Sequence, residues 1–527
     1  MKRLPILIFL LILISCGPRE EQQLKPLPNV LFIVADDLGY ADLSCMGSEF
    51  YETPNIDRIA TKGTKFTNGY AGCQVCSPSR ATIMSGQFTA RHGITDWIGE
   101  KSGEAWRSEG RFSELLPADY KHALSTEIYT WPKAMQAAGY TTFFAGKWHV
   151  GDEGSLPEDH GFDINVGGWE TGSPKGGYFA PYINPKMESG PDGENLSIRL
   201  AKETVSFIKS CESKPFFAFL SFYAVHGPIQ ASREKWEKYR RKAIDMGVDS
   251  LGFERGDLLP IRKNQDHPVY AGLIETMDDA VGIVLDALQA LNLEEETIVI
   301  FTSDNGGVVS GDGYATNNSP LYGGKGMQWE GGIRVPFIIK VPGSKQKGVE
   351  NHTPVMGTDF YPTVLDLIGV KLSPEAQIDG KSLKPILLSE RETMEERPLI
   401  WHYPHYGNQG GRPASMMRKG KWKLIHYYEN RGGALYNLEE DPSESVNMAK
   451  DEPEIFELMK GELMEQLNEM KAVFPQADPQ YSMIQETNFV LKRMKRKQQQ
   501  LEKQRMNMLK ADWQPNADWW GSMVVRD

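Results

Sequence analysis

The chain contains 527 residues, of which 40% are hydrophobic, 10% aromatic and 24% charged. These fractions are ordinary for a globular protein and exclude a disordered, collagen-like or polytopic membrane chain. Because the length exceeds what one hydrophobic core usually supports, we expect a large domain and a smaller one. The net charge of −12 argues against bulk binding of nucleic acid, since an acidic surface repels the phosphate backbone. A polyanionic substrate would have to be held by local cations.

Residues 1–16 have the pattern of an export signal. A basic start precedes an apolar run over residues 4–14, which is too short to span a bilayer. The sequence Leu13-Ile14-Ser15-Cys16 resembles a bacterial lipobox, in which the cysteine is lipidated; an ordinary cleaved signal is the alternative. We therefore expect residues 17–28 to form a tether and the protein to be exported to the periplasm or cell surface. Cys16 would hold it, by a lipid anchor only, at the outer membrane of a Gram-negative bacterium.

Four short apolar runs predict strands that are covered on both faces, which is typical of a parallel sheet with flanking helices. These runs are residues 29–35, 141–145, 216–222 and 297–301. Helical segments lie between them, for example at residues 131–138, 198–209 and 270–291. We therefore predict an α/β fold, with a large, mostly parallel sheet in a domain that covers residues 29–394.

Polar side chains follow each of the four predicted strands. They are Asp36, Asp37, Lys147, His149, His226, Asp304 and Asn305. Because ligands collect outside the carboxyl ends of the strands in an open α/β sheet, we expect these side chains to converge on one site. The three carboxylates and the amide form an all-oxygen set, which suits a hard divalent cation, calcium first and magnesium second. No histidine pair accompanies them at metal-ligand spacing, which argues against zinc.

Two cysteines three positions apart occur shortly after the first predicted strand. Cys73-Gln74-Val75-Cys76 has the spacing of a redox or zinc pair, but a structural zinc needs two further ligands and the sequence has no second pair. The segment that follows, Cys76-Ser77-Pro78-Ser79-Arg80, closely resembles the signature of the formylglycine-dependent sulfatases of the alkaline phosphatase superfamily. The resemblance runs from Asn29 to about Pro442. It includes four further motifs, at residues 146–149, 304–306, 323–326 and 329–336.

The resemblance implies a covalent mechanism and a metal site. In that family the motif cysteine, here Cys76, is oxidised by a separate maturation enzyme to formylglycine, whose hydrate attacks sulfur and later ejects sulfate. Pro78 suits the first turn of a helix, which would place residue 76 near the positive end of that helix, where an anion is favoured. The implied metal ligands are Asp36, Asp37, Asp304 and Asn305, joined by residue 76.

The resemblance also implies roles for the cations and histidines. Arg80 and Lys147 would offset charge around the formylglycine and the sulfate, and Lys325 would hold a sulfate oxygen. His149 would remove the proton of the second hydroxyl in the elimination step. His226 would protonate the leaving oxygen, which a sugar sulfate needs because a sugar hydroxyl is a poor leaving group.

Candidate substrate contacts are less specific. The stretch 167–182 is rich in turn residues and aromatics, which predicts either a loop that stacks on a sugar ring or a packed surface loop. Trp169 and Tyr178 are its candidate contacts. The weaker candidates elsewhere are Trp97, Arg107, His402, His405 and Arg412.

From about residue 395 the pattern changes to short strand-like pieces joined by glycine-containing turns. It predicts a smaller α+β subdomain built on an antiparallel sheet over residues 395–480, with a helix near 453–470. Residues 481–527 form a basic tail, since residues 491–510 contain eight Lys or Arg and one Glu. We expect a solvated helical extension there; binding of nucleic acid or another polyanion is the alternative.

Together these observations predict a calcium-dependent sulfuric ester hydrolase whose catalytic domain is the segment 29–394. The expected substrate is a sulfated carbohydrate, such as ulvan, carrageenan or a glycosaminoglycan, and no nucleic acid partner is expected. One alternative is a phosphoester hydrolase of the same superfamily, but those enzymes favour two zinc ions with histidine ligands. Another is a catalytically inactive, glycan-binding lipoprotein, which would have no need of an oxidisable Cys76.

Overall fold

The computed structural model describes residues 27–110, 113–212, 214–248 and 251–514. The predicted export signal, the lipobox with Cys16 and most of the tether lie outside the described residues, as does the end of the basic tail. No helix within the described ranges combines the length and the apolarity that crossing a membrane requires.

The described chain forms eighteen strands and twelve α-helices. The strands are β1 (Asn29–Ala35), β2 (Thr64–Phe66), β3 (Gly69–Tyr70), β4 (Leu115–Leu116), β5 (Thr141–Gly146), β6 (Ile164–Val166), β7 (Phe216–Ser221), β8 (Phe253–Arg255), β9 (Pro260–Arg262), β10 (Thr297–Ser303), β11 (Phe337–Lys340), β12 (Val349–Asn351), β13 (Val355–Met356), β14 (Leu399–Tyr403), β15 (Ala414–Lys419), β16 (Trp422–Tyr427), β17 (Gly433–Asn437) and β18 (Gln476–Ala477). The helices are α1 (Pro54–Lys62), α2 (Cys76–Ser85), α3 (Thr89–His92), α4 (Trp131–Ala137), α5 (Leu196–Ser210), α6 (Arg233–Met246), α7 (Pro268–Ala290), α8 (Glu330–Ile333), α9 (Phe360–Leu367), α10 (Lys384–Leu387), α11 (Pro453–Glu469) and α12 (Met483–Met508).

The large sheet has eight strands in the order β12-β2-β11-β10-β1-β7-β5-β6. Strands β10, β1, β7, β5 and β6 run parallel to one another, whereas β11 is antiparallel to both of its neighbours. The parallel strands end level with each other, since Ala35 pairs with Ser303 and Gly146 pairs with Ser221. The predicted α/β class and the mostly parallel sheet are confirmed, and the carboxyl ends of four strands meet along one edge.

Helices cover both faces of the sheet, and the alternation along β1 divides the core in two. Leu31 and Ile33 point into a core shared with α5 and α7. Val30, Phe32 and Val34 point the other way, into a core shared with α2, α4 and α9. Burial on both faces explains why the run is apolar throughout, as expected for a central parallel strand.

The smaller sheet is antiparallel, in the order β14-β15-β16-β17, and α11 packs against it, which confirms the predicted smaller α+β part. A buried ionic cluster joins it to the large domain. Lys423 of β16 contacts Glu330 of α8 at 3.1 Å and Glu444 at 2.8 Å. Tyr70 of β3 donates its hydroxyl hydrogen to Glu330 at 2.7 Å. Glu330 lies in the 329–336 motif, and this glutamate therefore connects the smaller sheet to β3, which pairs with β13 in a two-stranded sheet of the large domain.

Helix α12 begins the segment that we expected to be a solvated extension, and its second half packs on the large domain instead. Every seventh residue, Met494, Leu501 and Met508, is buried, so the helix carries an apolar stripe beneath its charges. Arg505 is 1% exposed and donates from Nε to Asp266 Oδ2 at 2.6 Å. The count of cations did not reveal this stripe, because it occupies only one face.

Replacing Lys423 with Met should lower the free energy of unfolding by about 3–5 kcal/mol, because two buried carboxylates lose the cation that lies between them. Chemical denaturation with a probe of the small sheet measures the loss. The matched control is Lys421→Met, which removes an exposed lysine two residues earlier. Equal stability of the two variants would show that the cluster does not hold the smaller sheet to the large domain.

Candidate active site

Four oxygen-bearing side chains meet where β1 and β10 end. Asp36 and Asp37 follow β1, and Asp304 and Asn305 follow its parallel neighbour β10. The Asp37 N–H donates to Asp304 Oδ1 at 3.1 Å, and Asn305 Nδ2 donates to Asp37 Oδ1 at 2.9 Å. One oxygen from each of the three carboxylates lies within 4.8 Å of the other two.

These residues fit a hard divalent cation. Asp36 Oδ1 and Asn305 Oδ1 are buried without a hydrogen-bond partner among the described residues. A buried polar atom left unpaired is costly, and a cation would satisfy both oxygens. The donors are carboxylate and amide oxygens, the ligands that calcium and magnesium prefer. The geometry thus supports the cation predicted from the sequence without identifying the element.

Two lysines lie against the first two carboxylates. Lys147 Nζ donates to Asp36 Oδ2 at 2.6 Å, and Lys325 Nζ donates to Asp37 Oδ2 at 2.8 Å. Burial raises the pKa of Asp36 well above its ordinary value, although Lys147 opposes the rise. For Asp37, burial acts to raise the pKa, but the charges of Lys325 and Lys147 and the hydrogen bond from Lys325 outweigh it and hold the pKa below its usual range. Asp36 is therefore the carboxylate that most needs a further positive charge.

Arg80 links the third carboxylate to two neighbouring strands. Its Nε donates to Asp304 Oδ2 at 2.7 Å, and Nη1 donates to the Lys147 carbonyl at 2.8 Å and to Ser221 Oγ at 2.7 Å. Each carboxylate thus has its own cation, and the formal charges cancel. A divalent ion would leave the site with a charge of +2, which suits a dianionic product.

Cys76 is the first residue of α2, and Pro78 lies in the first turn as predicted. The Cys76 thiol is 3% exposed, and its sulfur lies 3.3 Å from His149 Nδ1. Burial raises the pKa of the thiol, so the unmodified side chain is protonated at neutral pH. Cys73 and Cys76 are both free, which excludes the disulfide that their spacing allowed.

The two histidines approach from different strands. His149 follows β5, and its Nε2 faces the carbonyl oxygen of Ile98 at 3.2 Å. His226 follows β7, and its Nδ1 faces the Gly227 carbonyl at 2.8 Å while Nε2 lies 3.7 Å from Asp37 Oδ2. Burial and the charge of Lys325 lower the pKa of His226 to about 3.

A pocket of about 370 Å³ opens above these groups. Its floor contains Cys76, His149, His226 and Lys325, which are the nucleophile, base, acid and sulfate-holding candidates. The remaining lining residues are Val75, Trp97, Ile98, Glu170, Thr171, Gly172, Ser173, Lys175, Asp312, Asn408 and Gln409. The rim is therefore mixed in charge and contains one large aromatic side chain.

Comparison with known proteins decides the family. A model described as Sulfatase matches residues 28–370, and one described as N-sulphoglucosamine sulphohydrolase, C-terminal, matches residues 321–473. The chain belongs to the sulfatase family. The resemblance seen in the sequence is thereby confirmed at the level of the family, and the enzyme hydrolyses sulfate esters.

The relatives match over most of their length. A protein named Sulfatase from Formosa agariphila is 31% identical, over 86% of this chain and 90% of that protein. The steryl-sulfatase of Rattus norvegicus is 29% identical, over 77% of this chain and 78% of that enzyme. The crystal structure of Ps i-CgsB in complex with k-i-k-neocarrahexaose superposes with a TM-score of 0.68 at 26% identity, over 91% of this chain and 99% of that one.

Three of the residues predicted to contact substrate in this sulfatase are buried and bonded to other groups of the protein. Tyr178 is 0% exposed and donates its hydroxyl hydrogen to backbone carbonyls, including that of His226. His402 is also 0% exposed and lies between Ser415 Oγ and a backbone carbonyl. Arg412 is 4% exposed and paired with carboxylates at 2.6 and 2.9 Å. These residues are bonded within the fold and offer no surface to a ligand, and Tyr178 alone among them braces a residue of the site, His226.

Of the other proposed substrate contacts, one lines the pocket and three do not. Trp97 lines the pocket, and Trp169 is half-buried and does not line it, although its carbonyl accepts the His149 N–H at 3.3 Å. Arg107 is paired with Asp478 at the surface, whereas His405 is buried. The 167–182 loop does reach the pocket, but through its polar residues at 170–175.

Several functional residues were missed in the sequence. Ser221 ends β7; its Oγ accepts a hydrogen bond from Arg80 and donates one to the Lys147 carbonyl at 2.6 Å. A polar side chain at the end of an apolar run could have indicated it in the sequence. Ile98 contributes only a carbonyl, which no sequence pattern marks. Asp312 lies 3.8 Å from Lys325 at the pocket rim, in a loop with no distinctive motif.

Calcium should raise the stability of this sulfatase more than zinc does, because the ligand oxygens are hard. At 100 times its dissociation constant an ion that binds only the folded state contributes about 2.7 kcal/mol. Thermal unfolding after chelation, with each ion added back, measures the effect. Asp304→Asn should lose it, whereas the exposed Asp152→Asn should keep it. Equal stabilisation of both variants would place the ion elsewhere.

Proposed function

We propose that this sulfatase releases inorganic sulfate from a sulfated carbohydrate, with a formylglycine made from Cys76 and one calcium ion. The observation that carries the proposal is the position of Cys76. It begins a helix on the floor of the pocket, 3.3 Å from a histidine nitrogen, beside three carboxylates that each contact a cation.

The helix and the cations prepare this position for an anion. The N-terminal end of α2 carries a partial positive charge, which favours a sulfate group next to residue 76. Lys325 can hold a sulfate oxygen, and Arg80 and Lys147 balance the buried carboxylates. When present, formylglycine hydrate supplies one hydroxyl for attack on sulfur and a second whose deprotonation releases sulfate.

His149 is suited to the base role. The Ile98 carbonyl can only accept, so Nε2 of His149 carries the hydrogen and Nδ1 presents its lone pair to position 76. Burial lowers the pKa of His149 well below its usual range, which keeps the ring neutral and able to accept a proton. The protein therefore holds an unprotonated nitrogen toward the side chain that must lose a proton.

His226 is suited to the acid role once an anion is bound. Its Nδ1 hydrogen faces the Gly227 carbonyl, which leaves Nε2 directed toward Asp37 and the pocket. The low pKa of His226 keeps the ring neutral in the empty pocket. The negative charge of a bound sulfate ester favours the protonated ring, so the acid is charged only when there is a leaving group to protonate.

Asp36, Asp37, Asp304 and Asn305 would hold the calcium ion, with residue 76 as a further ligand. A bound calcium ion supplies positive charge at a sulfate oxygen and at the attacking hydroxyl. Two buried oxygens without partners support this assignment. The phosphoester alternative is not favoured, because the described residues contain no metal-binding cluster with histidines beside this one.

A carbohydrate fits the rim better than a sterol does. Trp97 offers a partly exposed ring, and Asn408, Gln409, Glu170 and Lys175 offer polar groups at the same opening. Sugars present hydroxyl groups at their edges and an apolar face, whereas a sterol needs a continuous apolar lining. The solved structure of Ps i-CgsB is a complex with k-i-k-neocarrahexaose, which supports the same substrate class here.

We further propose that the enzyme is exported and held at the outer membrane by a lipid on Cys16. The support is the short apolar run that ends in Leu13-Ile14-Ser15-Cys16. Mass spectrometry of the N-terminal peptide, from protein purified out of membranes, measures directly whether the mature chain begins at Cys16 and carries a lipid there. A mature chain that begins after Cys16, or an unmodified Cys16, would overturn the proposal.

Cys76→Ala should abolish sulfate release and leave the fold intact, because the residue carries covalent chemistry and little packing volume. Wild-type protein made with a maturation enzyme should give a residue 76 peptide with the mass of the aldehyde or its hydrate. Cys73→Ala is the control, since this cysteine is buried nearby but lies outside the signature. Full activity of protein with an unmodified Cys76 would contradict the mechanism.

The two histidines should respond differently to the leaving group. His226→Ala should cost roughly 10²–10⁴-fold on a sugar sulfate, the usual span for general acid catalysis, and far less on an aryl sulfate, whose phenolate leaves unaided. His149→Ala should slow both substrates, because it acts after the alcohol has left. Sulfated enzyme should then accumulate, which intact-protein mass spectrometry after quenching detects. Equal losses on both substrates for His226→Ala would remove it from the acid role.

A further inference from the structure

We propose that the basic face of α12 is a binding surface for the part of a sulfated polysaccharide chain that lies beside the sulfate being removed. The inference rests on the proposed carbohydrate substrate and extends it from one sugar to a polymer. It gives a function to the basic segment 491–510, which contributes no residue to the catalytic pocket.

Four cations of α12 are directed to solvent. Lys492, Lys495, Arg496 and Lys503 are exposed, opposite the buried stripe that fixes the helix. Among the residues that the structure describes, none of these four takes part in an ion pair. Arg505 differs, because it is buried against Asp266 and serves the packing. The exposed cations therefore stabilise nothing in the described fold and are available to an anionic ligand.

This face is continuous with the active site. A small cavity of about 50 Å³ is lined by Glu486, Phe489 and Val490 of α12 together with Tyr406 and Asn408. Asn408 also lines the catalytic pocket, so the two spaces share a wall residue. The first turns of the helix thus line a cavity that borders the catalytic pocket.

Charge then extends away from that cavity along the helix. Phe489, Lys492, Arg496 and Gln500 are spaced three or four residues apart and therefore share one face. With a rise of about 1.5 Å per residue, Lys492 and Arg496 lie about 4.5 and 10.5 Å beyond Phe489 along the axis. A half-buried aromatic ring followed by cations can meet both the apolar face of a sugar and its sulfate groups.

The rest of the protein makes this local charge necessary. The net charge of −12 repels a polyanion, whereas residues 491–510 carry a net charge of +7. A monosaccharide sulfate needs only the pocket, in which one sulfate meets Lys325. A chain with sulfates on neighbouring sugars gains from α12, because each additional sulfate can meet a further cation.

The helix is also held rigidly enough to serve as a surface. Met494, Leu501 and Met508 anchor it by their burial. Glu502 accepts the Gly252 N–H at 2.7 Å, which ties the helix to the segment leading into β8. Removing exposed charges from the opposite face should therefore leave the fold unchanged.

The test uses the full chain with two neutralised cations, Lys492→Gln with Arg496→Gln. The matched control is Lys345→Gln with Lys347→Gln, which removes the same charge from exposed positions after β11. Affinity for ι-carrageenan polymer, for desulfated carrageenan and for phosphatidylglycerol vesicles is measured at several salt concentrations. Sulfate release from the polymer and from 4-nitrophenyl sulfate is measured in parallel, and thermal unfolding checks the fold.

We expect wild type to bind ι-carrageenan more tightly than the desulfated polymer, with an affinity that falls as salt rises. The double variant should weaken this binding about 2- to 30-fold, the span for two exposed ion pairs. Its ratio of kcat/KM on the polymer to kcat/KM on 4-nitrophenyl sulfate should fall to a similar extent. The control pair should match wild type.

Three results would overturn the inference. They are equal affinity of wild type for the sulfated and desulfated polymers, equal losses in the variant and the control, and a loss confined to lipid vesicles, which would assign the face to a membrane. Failure of the proposed substrate class looks different. In that case both wild type and the double variant hydrolyse 4-nitrophenyl sulfate, but neither releases sulfate from any carbohydrate.

Discussion

Three carboxylates buried within 4.8 Å of one another impose the constraint on which the rest of the structure depends. Such a group is unstable by itself, because burial disfavours charge and the like charges repel. The fold places one cation next to each carboxylate, and these cations come from α2, from the residue after β5 and from the loop before α8. The parallel sheet is what permits this, because it delivers polar residues from distant parts of the sequence to one edge.

The same neutralisation prepares the chemistry. Six formal charges that cancel leave the site with no net charge, and a divalent ion would convert it into a positively charged one. The two unpartnered oxygens, Asp36 Oδ1 and Asn305 Oδ1, show where the structure still requires a positive charge. Structural stability and affinity for sulfate therefore depend on the same ligands, so a substitution that damages one should damage the other.

The sequence was most informative where residues are buried on both sides or follow strand ends. The apolar runs of β1, β5, β7 and β10 lie inside the sheet, so their composition alone marks them. The three-residue strands β2 and β12 were not predicted, because β2 is too short to show a pattern and β12, at the edge, has no buried position. The Asp and Asn residues of the site were predicted because a polar residue directly after a buried parallel strand lies at the edge of the sheet where ligands bind.

The substrate contacts were harder, for a physical reason. An aromatic or cationic residue in a turn-rich stretch can face solvent or brace a wall, and only the tertiary structure decides between these. Tyr178 braces the His226 backbone and Arg412 is held in buried ion pairs, whereas Trp97 faces the pocket. The basic tail posed the same difficulty, because a count of charges does not reveal which face of the helix carries them.

The distribution of charge follows from separating two tasks. The floor of the pocket must discriminate one sulfate ester from its alcohol product, so its cations are buried, individually paired and fixed in place. A surface that holds a polymer must release it after each cleavage. Exposed cations suit this, because each ion pair they form contributes at most about 1 kcal/mol of binding free energy and salt weakens it further. Lys325 at 4% exposure and the exposed Arg496 lie at these two extremes. On the proposed substrate, strong, buried charge would perform the chemistry and weak, exposed charge on one helix would retain the chain, which is how an acidic enzyme could act on an acidic polymer.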